Sequence, residues 1–117
     1  MSAVLIVEDE PLIRIGAVKI IADAGFEVIE AESADEAIRI LECRGDIRVV
    51  ITDIHMPGSM DGLKLAHAVR NRWPPIKIIV TSGRDLITEK DLPEGGRFFA
   101  KPYDPIAITG ALREWAL

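Results

Sequence analysis

Two stretches decide the fold, Ala3-Val4-Leu5-Ile6-Val7-Glu8-Asp9 and Val49-Val50-Ile51-Thr52-Asp53, because each is an unbroken apolar run that stops on carboxylates. Such runs suit strands covered on both faces, whereas a sheet with one wet face would alternate apolar with polar. Two further runs end in polar groups: Ile78-Ile79-Val80-Thr81 precedes Ser82, and Phe98-Phe99-Ala100 precedes Lys101. With a fifth at 26–31, the runs 3–7, 48–52, 76–81 and 97–100 alternate with segments that carry helix signals, the βαβ pattern of a parallel sheet. Right-handed crossovers in an open parallel sheet bring all strand carboxyl ends to one edge, where ligands sit. Glu8, Asp9, Asp53, Ser82 and Lys101 all fall on that edge.

The intervening segments have identifiable ends. Pro11 opens a first helix, where its missing N–H costs nothing, and Gly25 suits a left-handed stop. Ser33 and Glu36 stand at capping-box spacing ahead of an apolar stripe of Ala34, Ala37, Ile38 and Leu41. Asp61 can cap a third helix that turns Leu63, Ala66 and Trp73 inward and ends at Pro74-Pro75. Asp104 and Pro105 start the last helix, with Ile108, Ala111, Leu112 and Trp115 on one face. Between Arg84 and Gly96, Pro93 and the Gly95-Gly96 pair leave room for only a short fourth helix.

At 117 residues, 49% apolar and 28% charged, the chain reads as one self-folding domain over 1–117. A formal charge of −5 weighs against direct nucleic-acid binding and points to proteins or small phosphodonors as partners. The lone Cys43 excludes an intrachain disulfide and a thiolate metal cluster. The leading apolar stretch is shorter than the roughly 7 to 15 residues of a signal-peptide core, and no run approaches the roughly 18 residues that cross a bilayer. A cytoplasmic protein without membrane contact, a monomer or weak dimer, is expected.

Three carboxylates about 5 Å apart repel by about 3 kcal/mol per pair at an effective dielectric of about 20, so the edge calls for a cation. An all-oxygen donor set with only a few carboxylates favours Mg2+ over Ca2+, which prefers a fuller protein cage. A carboxylate beside a metal and a lysine can also act as a nucleophile and carry a phosphoryl group. Asp53, the acid on a central strand, is the candidate phosphoacceptor. Ser82 and Lys101 would receive phosphoryl oxygens, one through a hydroxyl and the other through a charge-assisted bond.

Through Val7-Glu8-Asp9-Glu10, Asp53-Ile54-His55-Met56-Pro57, Asp61-Gly62, Thr81-Ser82-Gly83 and Lys101-Pro102, the whole chain resembles the receiver domains of response regulators. The resemblance implies a flavodoxin-like, doubly wound α/β domain with five parallel strands in the order 2-1-3-4-5. It also implies phosphoryl transfer from a sensor histidine kinase or phosphotransfer protein onto Asp53, and a downstream protein target. On the family pattern Asp9, Asp53 and the backbone carbonyl of His55 hold Mg2+ directly, with Glu8 acting partly through water. Ser82 and Phe98 would be the switch residues, reshaping a surface made of the 84–96 segment, the fifth strand and the last helix. The resemblance further suggests that His55 and Arg84 tune hydrolysis of the acyl phosphate. Three departures stand out: the 56–62 loop is one residue longer than usual, the Ser82-to-Lys101 spacing is shorter, and Phe98 replaces a common tyrosine.

Rival readings remain distinguishable. An acid-site phosphatase wants a second aspartate two positions after the first, where this chain has Pro11. A flavin or nucleotide module wants a Gly/Ser-rich anion loop after strand 1, where Glu8, Asp9 and Glu10 would repel phosphate. A degenerate receiver would lack part of the acid, hydroxyl and lysine set. His55 and His67 read as exposed histidines, Trp73 and Trp115 as packing residues, and Cys43 as an inert thiol at a helix end. The end of the chain at Leu117, within or just after the last helix, favours a stand-alone receiver over a fragment of a longer regulator with an output domain, and the residues after Asp9 favour a phosphoacceptor over an enzyme.

Overall fold

The three central strands of the sheet are buried along nearly their whole length because their two faces meet different helix pairs, whereas the two edge strands are largely half-buried or exposed. The computed structural model describes residues 2–56, 58, 60–83, 88–102 and 104–115, with Glu89 as backbone only. The elements are β1 (Ala3–Val7), α1 (Pro11–Asp23), β2 (Glu27–Ala31), α2 (Ala34–Cys43), β3 (Ile47–Asp53), α3 (Gly62–Arg72), β4 (Lys77–Ser82), β5 (Arg97–Ala100) and α4 (Pro105–Glu114). The strands form one parallel sheet in the order β2-β1-β3-β4-β5.

Alternate residues of the central strands divide between two cores, as the two-residue period of a strand requires. Leu5, Val7, Val50, Ile78 and Val80 pack with Ala37, Leu41, Leu65 and Val69 of α2 and α3. Val4, Ile6, Val49, Ile51 and Ile79 pack on the opposite face with Ala17, Ile21, Ile108 and Leu112 of α1 and α4. This is the doubly wound arrangement, with the strand order expected from the resemblance. None of the described helices is long and apolar enough to cross a membrane.

The helix ends follow the capping chemistry. Pro11 is the first residue of α1, and Gly25 beyond its end adopts φ 99°. Ser33 Oγ accepts from the Glu36 N–H, while the Glu36 carboxylate reaches back one residue further than the capping box predicts, to the Glu32 N–H. Asp61 and Asp104 cap α3 and α4. Trp73 and Trp115 are half-buried against the two cores, each covered by an arginine, Arg72 at 4.4 Å and Arg97 at 5.1 Å from the ring centre.

The expected short helix between Arg84 and Gly96 lies partly outside the described residues, at 84–87. In the described part the only helical element is a 3₁₀ turn, Glu89–Asp91. Tertiary contacts anchor it: Leu92 is buried in the α2/α3 core, and His67 Nε2 lies 2.8 Å from the Asp91 carbonyl oxygen. His67 is exposed, as expected, yet it clasps this segment to α3.

Candidate functional site

Register places the site residues together. Val7 pairs with Thr52, Asp53 with Thr81, and Ser82 with Ala100. The chain stays tied to its neighbours one step beyond these strands: Glu8 N–H donates to Ala31 O at 3.0 Å, Ile54 N–H to Thr81 O at 3.0 Å, and Lys101 N–H to Ser82 O at 2.9 Å. Side chains at the ends of β1, β3 and β5 are therefore carried on hydrogen-bonded backbone, not on free loops.

The three acids do converge. Glu8, Asp9 and Asp53 each place a carboxylate oxygen within 4.8 Å of the others. Glu8 is 4% and Asp53 8% exposed, while Asp9 is half-buried. Lys101 Nζ enters the group, 2.6 Å from Glu8 Oε1 and 3.2 Å from Asp53 Oδ1. Three carboxylates against one ammonium leave a formal excess of two negative charges. Burial pushes the Glu8 carboxyl above its ordinary value, against the opposing hydrogen bond from Lys101. Burial would lower the Lys101 ammonium, but the Glu8 hydrogen bond and the neighbouring carboxylates outweigh it and hold Lys101 above its ordinary value. Both shifts say that the site grips protons when no other cation shares it. An all-oxygen donor set of this spacing fits a hard divalent ion.

The Asp53 backbone is held from behind. Thr52 Oγ1 donates to the Asp53 carbonyl at 3.0 Å, and Gly62 N–H donates to Ile54 O at 2.9 Å. A Cβ on Gly62 would collide with the Asp53 carbonyl, reaching 2.6 Å from its carbon and 2.9 Å from Thr52 Oγ1. Gly62 is thus fixed by close approach to the end of β3. Of the longer 56–62 loop, Pro57 and Ser59 lie outside the described residues; Gly58 adopts φ 109°, and Met56 and Met60 pack against the α2/α3 core.

His55 is exposed and borders the same acidic depression as Glu8, Asp9, Asp53, Gly83 and Lys101. Ser82 is buried at the end of β4, and Phe98 is half-buried on β5 in register with Val80. Arg84 lies outside the described residues. Sequence reading missed Arg14, whose guanidinium reaches the Glu8 carbonyl at 2.8 Å. One signal was available: an arginine in the first turn of a helix opposes the helix dipole and so needs another partner. It also missed the Glu8–Lys101 contact across 93 positions, which only the sheet order brings about.

The family model described as Response regulator receiver domain matches residues 4–113. The sensor kinase CckA of Brucella abortus is 34% identical over 97% of this chain, which covers 12% of that protein. The chain therefore spans a small part of this curated relative. A crystal structure of the receiver domain of hybrid histidine kinase CckA superposes with TM-score 0.82 at 29% identity, covering 99% of this chain and 100% of that one. The response regulator TrrA of Thermotoga maritima, solved in complex with Mg(2+)-BeF, gives TM-score 0.84 at 25% identity, covering 98% and 99%.

Proposed function

The chain belongs to the response regulator receiver domain family, and from that membership we propose that it accepts a phosphoryl group on Asp53 from a phosphohistidine of a sensor histidine kinase or phosphotransfer protein. The observation that carries this reading is the convergence of Glu8, Asp9 and Asp53 within 4.8 Å around a lysine that already touches two of them.

In the transfer an Asp53 carboxylate oxygen attacks phosphorus, an acyl phosphate bond forms, and the P–N bond to the donor histidine breaks with its electron pair returning to the imidazole. Glu8, Asp9, Asp53 and the His55 carbonyl would hold Mg2+, which supplies positive charge against the phosphoryl oxygens. The Mg(2+)-BeF complex of the similar TrrA supports that cofactor. Lys101, which contacts Asp53, would exchange that contact for a phosphoryl oxygen, and the buried Ser82 hydroxyl would donate to another. Movement of Ser82 would let Phe98 pack further inward, biasing the surface of the 88–96 segment, β5 and α4 for a downstream protein. This is signalling in the cytoplasm rather than turnover of external substrates.

Incubation with acetyl phosphate or phosphoramidate plus Mg2+ tests the reading. A single labile adduct that needs the metal and disappears in Asp53→Asn is expected. An adduct that persists in Asp53→Asn, or sustained hydrolysis of a generic phosphomonoester, would overturn it.

A further inference from the structure

We propose that Arg14 is a positioning residue for the acidic site, holding the Glu8–Asp9 peptide in the orientation that lets both carboxylates reach one cation. The proposal rests on the reading of Glu8 and Asp9 as cation ligands, and its test separates the two.

β1 ends at Val7, so the Glu8 carbonyl lies beyond the strand, in the turn that leads into α1. That carbonyl belongs to the peptide plane linking the two acids, and a plane without a fixed partner can turn and carry one carboxylate away from the other. Arg14 supplies the partner. Helical side chains tilt toward the helix N-terminus, and from the first turn of α1 its Nη1 donates to Glu8 O at 2.8 Å. The guanidinium is itself clamped: Nε donates to Glu30 Oε1 at 3.2 Å, and Nη2 lies 3.6 Å from Glu32 Oε1. Glu30 belongs to β2 and Glu32 follows it, so the fork spans from the edge strand to the acid turn. The Arg14 side chain is only 13% exposed. A rigid planar fork of this kind fixes geometry where a lysine would supply charge alone. The Glu10 N–H also donates to Glu8 Oε2, at 3.2 Å, so movement of the peptide would disturb the carboxylate as well.

Charge and position predict opposite signs. As a cation close to the site, Arg14 should repel Mg2+, so its loss would tighten binding. As a positioning group, its loss should weaken binding, by about tenfold if it acts like other hydrogen-bond partners of a ligand shell. Calorimetric titration of Mg2+ into the full chain is expected to show Arg14→Met about tenfold weaker and Arg14→Lys in between. Lys19→Met, which removes a positive charge from α1 that is paired with Asp23, should bind as the wild type does or slightly tighter. Binding by Arg14→Met equal to or tighter than wild type overturns the proposal. A mere loss of fold stability would lower the melting temperature without changing the affinity of the folded protein.

A metal-free readout stands beside it. Hydrogen exchange at the Glu10 amide should quicken about tenfold in Arg14→Met while β4 amides are unchanged; equal exchange at Glu10 also overturns the proposal. If wild type binds no Mg2+, the ligand reading fails, and this exchange result still decides the role of Arg14. Should Arg14→Met not fold, the pair Glu30→Gln and Glu32→Gln loosens the same clamp, and unchanged Mg2+ affinity and Glu10 exchange there count against it.

Discussion

The two ends of the sheet carry the same residue types to opposite effect. At the strand carboxyl ends, three acids face one lysine; at the amino ends, Glu27 and Asp46 share Arg44, whose Nη2 lies 3.1 Å from Glu27 and 2.6 Å from Asp46. Arg44 also engages Asp46 through Nε at 2.9 Å, a two-pronged contact. Exposure separates the clusters. The side chains of Arg44, Glu27 and Asp46 are 32–38% exposed, whereas the side chains alone of Glu8 and Asp53 are 5% and 11% exposed. The carboxyl shifts follow. Burial pushes Glu8 up, while the Arg44 hydrogen bond holds Asp46 down at about 2. By these contacts the amino end carries an excess of one negative charge in a half-exposed setting, whereas the carboxyl end is buried and carries an excess of two. Residue identity alone does not set how a carboxylate titrates: depth and neighbouring charge do.

The largest effect should come from matched glycines. Gly62→Ala forces a methyl into the Asp53 carbonyl and Thr52, a backbone collision with no flexible side chain to yield. About 3 kcal/mol of destabilisation is expected from such overpacking, together with lost phosphorylation even where the variant folds. Gly45, between Arg44 and Asp46, has open space where a Cβ would go, so Gly45→Ala should be neutral or stabilising by up to about 1 kcal/mol. Urea denaturation of the pair checks this, and equal costs would erase the distinction between the two ends.

A smaller difference lies in removing one acid from each cluster. Asp53→Asn halves the excess negative charge and leaves the closer Lys101–Glu8 contact in place, so without metal it should stabilise by about 1 kcal/mol, or about 4 °C in Tm. Asp46→Asn removes an attractive contact and should slightly lower Tm. Added Mg2+ should raise the Tm of wild type and do less for Asp53→Asn. A fall in Tm for Asp53→Asn without metal would show that Lys101 already neutralises the site.

The central strands were legible in the sequence because burial on both faces writes uninterrupted apolar runs, and the helices because Ser33, Asp61 and Asp104 stand where orphan N–H groups need an acceptor and Pro11 stands where a missing N–H costs nothing. The acidic edge was legible because topology alone brings strand ends together. Two features were not. The 88–96 segment takes its shape from Leu92 in the core and His67 on α3, partners that no local pattern reveals. The clamp of Arg14 on Glu8 depends on which strand lies beside β1, so Glu30 and Glu32 become its neighbours only after folding.

The finest test is acid titration of the amino end. Asp46 has an ordinary value of 3.8 and is held at about 2 by the Arg44 hydrogen bond, so the folded state binds its proton less readily than the unfolded chain. Its contribution is therefore fully present above about pH 4 and is lost as pH falls through about 2. Glu8 has the reverse sign: its raised value favours the folded state at low pH, an advantage lost as pH rises through that value. Between pH 4 and 2 the stability gap between wild type and Asp46→Asn should close, followed by Tm at each pH and at two salt concentrations. Salt should narrow the gap, because the pair is solvent-accessible. A gap that stays constant across this window would mean that Arg44 orders the amino-end turn through geometry rather than charge, and that the two ends differ less in electrostatics than in burial.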